Sequence, residues 1–260
     1  MKRTLLCGLL AAALLSMPAR AVRAVPVQVD GTLLEKRGTL SDGVTYVPLR
    51  TLLDTLGGWE LSWDAQAKEA VALSSSARLT ASPEKGAVTF NGAEYPATVY
   101  VEGGRTYVPL RLVCNILGGS AVWDPWLGGA AVTSAEAEHD AVELYWLSRI
   151  ISAESQGEPL TGQVAVGSVV QNRVASREFP DTIPAVIFDK ADGVQFEPVS
   201  NGTVYAVPTA QSVEAARRAL SGENPVGAAL YFYAPALSQG LWINANRTYL
   251  TTIGCHRFYL

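Results

Sequence analysis

Histidine and cysteine are scarce: the chain of 260 residues contains two histidines and three cysteines. A zinc site normally needs three protein ligands, and His139 and His256 are far apart in the sequence. Centres that pair serine or cysteine with histidine are disfavoured for the same reason. We therefore predict no metal site and no cofactor. We also predict a protein held together by hydrophobic cores, with no disulfide between Cys114 and Cys255.

Excess positive charge and long apolar runs are also lacking. The formal net charge is −4, which disfavours binding to nucleic acid, because that ligand favours a basic surface. Beyond the N-terminus, no apolar run approaches the ~20 residues that a membrane helix needs. Apolar residues make up 48% of the chain, which is enough for real hydrophobic cores.

Residues 1–24 have the pattern of a secretion signal. A basic start at Lys2 precedes the apolar stretch Leu5–Leu15, and small residues allow cleavage after Ala21 or Ala24. We therefore predict a secreted or cell-envelope protein with no membrane span once the signal is removed. An uncleaved membrane anchor is the alternative.

A sequence unit occurs twice between residues 25 and 133, with most matches 61 residues apart. Val29–Gly31 matches Phe90–Gly92, Gly43–Arg50 matches Gly104–Arg111, Leu56–Gly58 matches Leu117–Gly119, and Trp63–Asp64 matches Trp123–Asp124. Asn-Gly and Asp-Gly pairs are typical of hairpin turns, and a proline after Tyr-Val ends a strand. A short helix follows and stops at Gly-Gly. We predict two strand–helix–strand units packed as one domain.

These repeats resemble the copper amine oxidase N-terminal-like (stalk) domain of bacterial envelope proteins. Copper is not expected here, because residues 25–133 contain no histidine and one cysteine. Cys114 corresponds to Leu53 of the first repeat, so we interpret it as a buried structural thiol. For Arg50 and Arg111 we favour a role in closing the helix onto the sheet over ligand binding. The domain is interpreted as a wall-contacting or spacing module.

The pattern changes to helical after a polar linker at residues 134–140. Leu144, Leu147 and Ile151 form an apolar stripe that predicts a buried helix over 141–153, and Glu154 is next on that stripe. Burial and the carbonyl end of a helix both raise the pKa of a carboxylate. A raised pKa is what a general acid needs near neutral pH.

A break and a second helix follow. Gly157 and Pro159 must end the first helix, which puts Glu158 in the turn near Glu154. Thr161 is predicted to cap the second helix, whose buried face includes Val166.

Several C-terminal segments, in order, resemble the cell wall hydrolase family of the spore cortex-lytic enzyme SleB. They are Ala153–Pro159, Gly162–Val166, Asn172–Val174, Phe179–Pro180, Gly193–Val199, Thr209–Leu220, Ala229–Tyr233 and Gly254–Phe258. The resemblance covers residues 141–260. It implies an α+β chain overall, in which the duplicated small domain precedes a lysozyme-like, mainly helical domain with a small β-sheet.

The resemblance also implies a function. The family cleaves peptidoglycan glycan strands between N-acetylmuramic acid and N-acetylglucosamine, mainly as lytic transglycosylases, and Glu154 matches its catalytic glutamate. A buried structural glutamate paired with Arg149 or Arg173 is the alternative interpretation. A conventional hydrolase needs a second carboxylate. The candidates are Glu158, Asp181, Asp189, Asp192 and Glu197. Glu197 stands where the family usually has a small residue.

Further candidates for catalysis or substrate binding have equally plausible structural roles. They are Glu158, Gln163, Gln195, Phe196, Tyr231, Tyr233 and His256, with Trp242 as a sugar platform or core residue. Gln163 is predicted to face either the cleft or solvent. The predicted partner is the peptidoglycan glycan strand of cell wall or spore cortex, and an activating or anchoring envelope protein is left open. The alternative functions are a hydrolytic muramidase or amidase, or a non-catalytic peptidoglycan-binding protein.

Overall fold

The computed structural model describes residues 22–191 and 193–260. Residues 1–21, which make up most of the predicted signal, and the candidate Asp192 lie outside the described residues. The described chain has a β-rich N-terminal part and a helical C-terminal part, which confirms the predicted α+β class.

The N-terminal part consists of short strands and two short helices. The strands are β1 (Arg23–Val25), β2 (Val27–Val29), β3 (Thr32–Leu33), β4 (Gly38–Ser41), β5 (Val44–Pro48), β6 (Glu60–Asp64), β7 (Glu69–Leu73), β8 (Arg78–Ser82), β9 (Ala87–Phe90), β10 (Ala93–Pro96), β11 (Tyr100–Glu102), β12 (Arg105–Pro109), β13 (Ser120–Asp124) and β14 (Gly129–Thr133). The helices are α1 (Leu49–Leu56) and α2 (Leu110–Ile116).

The two repeats are interleaved. Strands β5 and β12, which correspond to each other, pair antiparallel at the centre of the sheet β1-β4-β5-β12-β11. Strand β14 of the second repeat pairs in parallel with β2 of the first. Buried residues of both repeats, including Val47 and Val108, belong to one hydrophobic cluster. The repeats therefore share a core.

The local predictions for the repeats agree with the structure. At Asp30-Gly31 both central residues have positive φ, 47° and 84°, and Asn91-Gly92 has 48° and 87°. This backbone suits two-residue hairpins, because its twist matches that of the flanking strands. The first helix ends at Leu56 as predicted, and the second ends one residue early, at Ile116.

Cys114 and the two repeat arginines have the structural roles that the sequence predicts. Cys114 is 3% exposed inside the shared core, and burial raises its pKa to about 12. Arg50 donates a hydrogen bond to the Leu61 carbonyl at 3.0 Å. Arg111 donates to the corresponding carbonyl of Ala121 at 3.2 Å. Each arginine therefore ties its helix to the following strand.

The C-terminal part is mainly helical. Its helices are α3 (Ala141–Ser155), α4 (Leu160–Ala175), α5 (Ile183–Ile187), α6 (Glu197–Asn201), α7 (Ala210–Leu220) and α8 (Leu241–Asn246), with a 3-10 turn at Thr203–Tyr205. Strands β15 (Tyr231–Tyr233), β16 (Tyr249–Ile253) and β17 (His256–Tyr259) form a sheet in the order β15-β17-β16. Among the described residues, no helix is both long and apolar enough for a membrane crossing.

Helices α3, α4 and α7 pack against one another around a buried cluster that includes Trp146. The carboxylate of Asp140 caps α3 by accepting bonds from two backbone N–H groups of its first turn. The predicted cap of α4 is wrong. That helix begins at Leu160, because the Pro159 carbonyl already accepts the N–H of Gln163, so Thr161 lies inside the first turn.

The two parts meet at a polar contact between buried residues. The indole N–H of Trp146 in α3 donates to Asp124 of β13 at 2.8 Å. Asp124 is 1% exposed, and its other oxygen accepts the N–H groups of Trp126 and Leu127. Trp126 also stacks near Phe188 of the C-terminal part. The linker therefore joins two parts that are in direct contact.

Candidate active site

Glu154 lies in the last turn of α3, which extends two residues beyond the predicted helix end, to Ser155. The stripe residues Leu147 and Ile151 are fully buried, and this face carries Glu154 to a half-buried position. The Ser155 hydroxyl donates to the Ile151 carbonyl at 2.7 Å, and the chain then turns through Gly157. The sequence pattern thus places this carboxylate where the buried helix reaches the surface.

Glu154 lines an open cavity of about 410 Å³. Helix α3 also contributes Arg149 to its wall, followed by Gln156, and α6 contributes Glu197 and Asn201. Apolar residues of the loops after α6 and β15 complete the wall. A cavity of this size is typical of small-ligand and substrate sites.

The environment of Glu154 favours its protonated form. Burial, with the negative charge of Glu197 as the second cause, raises the pKa of Glu154 to about 7 against an opposing effect of Arg173. Among the residues described, no hydrogen bond or ion pair joins Glu154 to Arg149 or Arg173. The cavity therefore contains a carboxyl group that can exchange a proton near neutral pH.

Glu197 shares this cavity, although sequence reasoning treated it only as one of five carboxylates. It is exposed and begins α6, while the next residue, Pro198, is buried and anchors the helix start. The sequence signal that could have singled out Glu197 is the glutamate itself, at a position where the resemblance leads us to expect a small residue. The cavity thus contains two carboxyl groups, one half-buried and one exposed.

Arg149 is a cavity residue that the sequence suggested only as a structural partner. Its guanidinium carbon lies 3.4 Å from the Tyr145 ring centroid, and it donates to the Tyr145 carbonyl at 3.3 Å. Burial lowers the pKa of Arg149. Its Nε is buried and has no hydrogen-bond partner among the described atoms. This buried cation is thus held against Tyr145 at the cavity wall.

Arg173 positions the predicted Gln195-Phe196 loop. It donates to the Leu230 carbonyl at 2.8 Å and to the Gln195 side chain at 3.4 Å, and its guanidinium lies 5.2 Å from the Phe196 ring. Phe196 is 3% exposed and packs in the core, whereas Gln195 is partly exposed. Neither residue lines the cavity that contains Glu154.

Glu158 points towards the C-terminal hairpin. One carboxylate oxygen accepts the backbone N–H of Cys255 at 2.9 Å, and the other lies 3.8 Å from Nδ1 of His256. His256 is 6% exposed beside Phe232, and burial lowers its pKa. Cys255 lies in the turn before β17, not on a strand as predicted, and both Cys114 and Cys255 are free thiols. These residues fasten the hairpin outside the cavity.

The prediction that Gln163 faces cleft or solvent is wrong. Gln163 is completely buried, accepts a hydrogen bond from Ser212 of α7 at 2.8 Å, and donates to the Glu158 carbonyl at 3.0 Å. The amide is needed inside because the turn between α3 and α4 leaves backbone carbonyls without helical partners.

A second group of aromatic residues lies at β15 and α8. Tyr231 accepts a hydrogen bond from Arg247 at 2.7 Å, and the Arg247 guanidinium lies 5.2 Å from the ring of Trp242. Tyr233 shares hydrogen bonds with Asn244. Trp242 is 59% exposed, so of the two roles predicted for it the core role is wrong.

The remaining carboxylate candidates lie elsewhere. Asp181 is exposed, and Asp189 accepts the N–H of Ala191 at 3.0 Å; neither lines the cavity. Within residues 22–191 and 193–260, no group of three or more histidine, cysteine or acidic side chains is arranged to hold a metal ion.

Comparison with protein families confirms both resemblances. The family model described as Cell Wall Hydrolase matches residues 157–259, and the model described as Copper amine oxidase N-terminal domain matches residues 28–125. Glu154 lies three residues before the first of these ranges.

Comparison with individual proteins gives similar C-terminal matches. A spore cortex-lytic enzyme of Bacillus cereus is 35% identical over 130 residues, which is 50% of this chain and 48% of the relative. The cell wall hydrolase CwlJ of Oceanobacillus iheyensis is 30% identical over 107 residues, 39% of this chain and 74% of the relative. The chain spans about half the length of the cortex-lytic relatives that it matches.

Among solved structures, the catalytic domain of the germination-specific lytic transglycosylase SleB from Bacillus anthracis is 34% identical. The match covers 47% of this chain and 98% of that domain, with a TM-score of 0.43.

Proposed function

Because the chain belongs to the cell wall hydrolase family, we propose that it degrades peptidoglycan as a lytic transglycosylase. The bond cleaved lies between N-acetylmuramic acid and N-acetylglucosamine, and Glu154 is the single catalytic residue. The observation that carries this proposal is the half-buried carboxyl group in an open cavity, with its pKa raised to about 7.

One carboxyl group is sufficient for this reaction. Protonated Glu154 donates its proton to the glycosidic oxygen as the bond from that oxygen to C1 of muramic acid breaks. The resulting carboxylate then accepts the proton of the muramic 6-hydroxyl, whose oxygen bonds to C1. The products are a 1,6-anhydro sugar and a free 4-hydroxyl, and no water is consumed. Glu154 ends the cycle protonated.

The other polar groups of the cavity are assigned to substrate binding. Arg149 has a buried guanidinium held by Tyr145, and Gln156 and Asn201 present amides that suit sugar hydroxyl and acetamido groups. Fixed donors and acceptors at the cavity wall orient a substrate without a further entropic cost at the moment of reaction.

The test is digestion of purified peptidoglycan by the chain and by Glu154→Gln, followed by mass spectrometry of the fragments. We expect anhydromuropeptides from the wild type and a loss of about 10²–10⁴-fold in the variant. Release of free stem peptides would instead identify an amidase. Equal lack of release by both proteins would favour a non-catalytic peptidoglycan-binding protein.

A hydrolytic muramidase is the second candidate, because Glu197 lines the same cavity as Glu154. In that reaction Glu197 would activate water or act as the nucleophile. Digestion in water enriched in ¹⁸O separates the two reactions. Hydrolysis incorporates one solvent oxygen into the new reducing end, whereas the anhydro product incorporates none.

A secreted or envelope location belongs to the same proposal, with peptidoglycan as the partner and an activating or anchoring protein left open. Of the two predicted cleavage sites, we favour Ala21. Strand β1 begins at Arg23, so cleavage after Ala24 would remove two of its three residues. N-terminal sequencing of the exported protein should therefore begin at Val22, and a start at Val25 would contradict this choice.

A further inference from the structure

The repeats create two corresponding grooves in the N-terminal part. The first has a volume of about 960 Å³ and the second about 430 Å³. The matched lining pairs are Pro48 with Pro109, Arg50 with Arg111, Trp63 with Trp123, and Gly104 with Gly43. Each groove therefore lies between the start of a short helix, a strand with a tryptophan, and the hairpin of the other repeat, and residues 32–36 line the first groove only.

The second groove is already occupied by the chain itself. Strand β1 adds antiparallel to the edge of β4, with Arg23 opposite Leu40 and Val25 opposite Gly38. The Arg23 guanidinium lies 5.5 Å from the ring centroid of Trp123. The occupant is thus an extended segment that supplies backbone hydrogen bonds to the edge and a cation to the tryptophan face.

The first groove lacks such an occupant within the described residues. Strand β11 corresponds to β4, and it is the last strand of its sheet, with no partner beyond it among residues 22–191 and 193–260. Trp63 is 49% exposed, and in the described part of the chain no cation lies over its ring. Val101 of β11 is equally exposed.

The asymmetry has a simple origin in chain connectivity. In the first repeat, the chain runs along β4 as β1 before it enters β2. At the corresponding place in the second repeat, residues 84–86 form the tight turn between β8 and β9, with Ser82 opposite Ala87. Residues 84–86 therefore do not lie along the edge of β11, and within the described chain no strand corresponding to β1 narrows the first groove.

We propose that the first groove binds an extended polypeptide segment of a partner protein. The segment adds antiparallel to β11 and places an arginine or lysine over Trp63. The bound segment would extend the same sheet that β1 extends at the opposite edge. The contact of β1 and Arg23 with β4 and Trp123 is therefore the model for the proposed contact. Edge pairing supplies affinity without sequence preference, and the tryptophan supplies the preference for a cation.

The probe is the acetylated and amidated peptide Val-Arg-Ala-Val, which has the sequence of residues 22–25. It is titrated into the full chain, and binding is followed by NMR at the backbone N–H signals of β11, which every variant keeps, and at the indole N–H signals of Trp63 and Trp123. We expect millimolar binding that shifts the Trp63 signal. Trp63→Ala should weaken binding by about tenfold, and replacement of the peptide arginine by glutamine should weaken it as well.

Trp123→Ala is the matched control, because Arg23 already lies over the ring of Trp123. Unchanged peptide affinity in this variant supports the proposal. Equal weakening by both variants would overturn it, since the peptide would then be replacing β1. A Trp63 shift caused by an N-acetylglucosamine oligomer but not by the peptide would overturn it in favour of glycan. Self-association lost in Trp63→Ala would overturn it in favour of a second copy.

Discussion

Glu154 and Glu197 lie in one cavity but differ in exposure, and both burial and the nearby Glu197 affect how Glu154 titrates. Half-burial disfavours the charged form of Glu154, and the negative charge of exposed Glu197 disfavours it further. The Glu154 carboxyl group therefore keeps its proton up to about pH 7. If Glu154 were instead a structural residue in an ion pair with Arg149 or Arg173, the positive charge would lower its pKa.

The substitution Glu197→Gln should move the pH profile of glycan cleavage. With the neighbouring negative charge removed, the pKa of Glu154 falls. Activity that needs protonated Glu154 should then decline at a lower pH than in the wild type. The measurement is kcat/KM for peptidoglycan digestion between pH 5 and 9, with turbidity as the readout.

Glu214→Gln is the control for this profile, since Glu214 is an exposed carboxylate paired with Arg218 on α7. It should leave the profile unchanged. Complete loss of activity in Glu197→Gln, with Glu214→Gln active, would contradict a tuning role and support the muramidase mechanism.

The raised pKa of Glu154 also predicts a stability effect. The folded state keeps its proton up to about pH 7, whereas the unfolded chain loses it near the ordinary glutamate pKa of 4.5. Stability should therefore fall as pH rises between these values, because the folded state binds the extra proton. Glu154→Gln should be more stable than the wild type by roughly 1–3 kcal/mol at pH 8.

Urea denaturation of the wild type and Glu154→Gln at pH 4 and pH 8 measures this effect. The difference in the free energy of unfolding should be small at pH 4, where the wild type is protonated. A constant difference at both pH values would mean that packing, and not ionisation, separates the two proteins.

The C-terminal hairpin illustrates how an element depends on one glycine. The Glu158 carboxylate reaches the Cys255 N–H across the turn, and a Cβ on Gly254 would collide with that carboxylate. Gly254 also has a positive φ of 57°. The family-like Gly-x-His-x-Phe pattern thus has a structural explanation, in which the glycine admits Glu158 while His256 and Phe258 are buried.

Gly254→Ala should lower the free energy of unfolding by more than the ~1 kcal/mol expected for positive φ alone. Gly227→Ala is the matched control, because Gly227 has a φ of 55° and open space around its Cα. Thermal unfolding of both variants measures the difference. Equal destabilisation would show that the Glu158 contact contributes little.

At the scale of the whole molecule, Asp124 connects the two parts. It is the repeat counterpart of Asp64, and both carboxylates accept two backbone N–H groups in the turn that follows. Only Asp124 also accepts the indole N–H of Trp146, and only Asp124 is buried. One position of the duplicated sequence has thus acquired an additional contact with the helical part.

Asp124→Asn should therefore destabilise the chain by roughly 1–3 kcal/mol. If the amide oxygen of the asparagine still accepts the N–H groups of the turn, its NH₂ group faces the indole N–H of Trp146, and two donors then face each other. Asp64→Asn keeps an oxygen that can accept the N–H groups of its turn, and among the described residues no indole N–H donates to Asp64. Its effect on the free energy of unfolding should therefore be much smaller. Calorimetry of the full chain measures both. Similar shifts in the two variants would indicate that the turn, and not the junction with Trp146, matters.

Much of the architecture follows from short-range patterns. The Asp-Gly and Asn-Gly hairpins, the strands that end at proline and the helix from Leu49 to Leu56 were predicted, as was the stripe that leads to Glu154. The interleaving of the repeats was not predicted, because identical local patterns are compatible with separate units. Gln163 was misplaced because nothing nearby in sequence reveals that Ser212 and the carbonyl of Glu158 converge on it.

The sequence by itself determined the turns, the helix periods and the stripe that leads to Glu154, since these depend on residues within one or two turns of each other. It also determined the duplication, because the two copies can be compared directly along the chain. Tertiary structure alone decided that Glu197 shares a cavity with Glu154 and that Glu158 binds the hairpin. It also decided that β1 lies along one groove, whereas the corresponding groove has no such strand among the described residues. The physical reason is that pKa values, cavities and strand edges depend on which distant segments pack together, and periodicity carries no information on that choice.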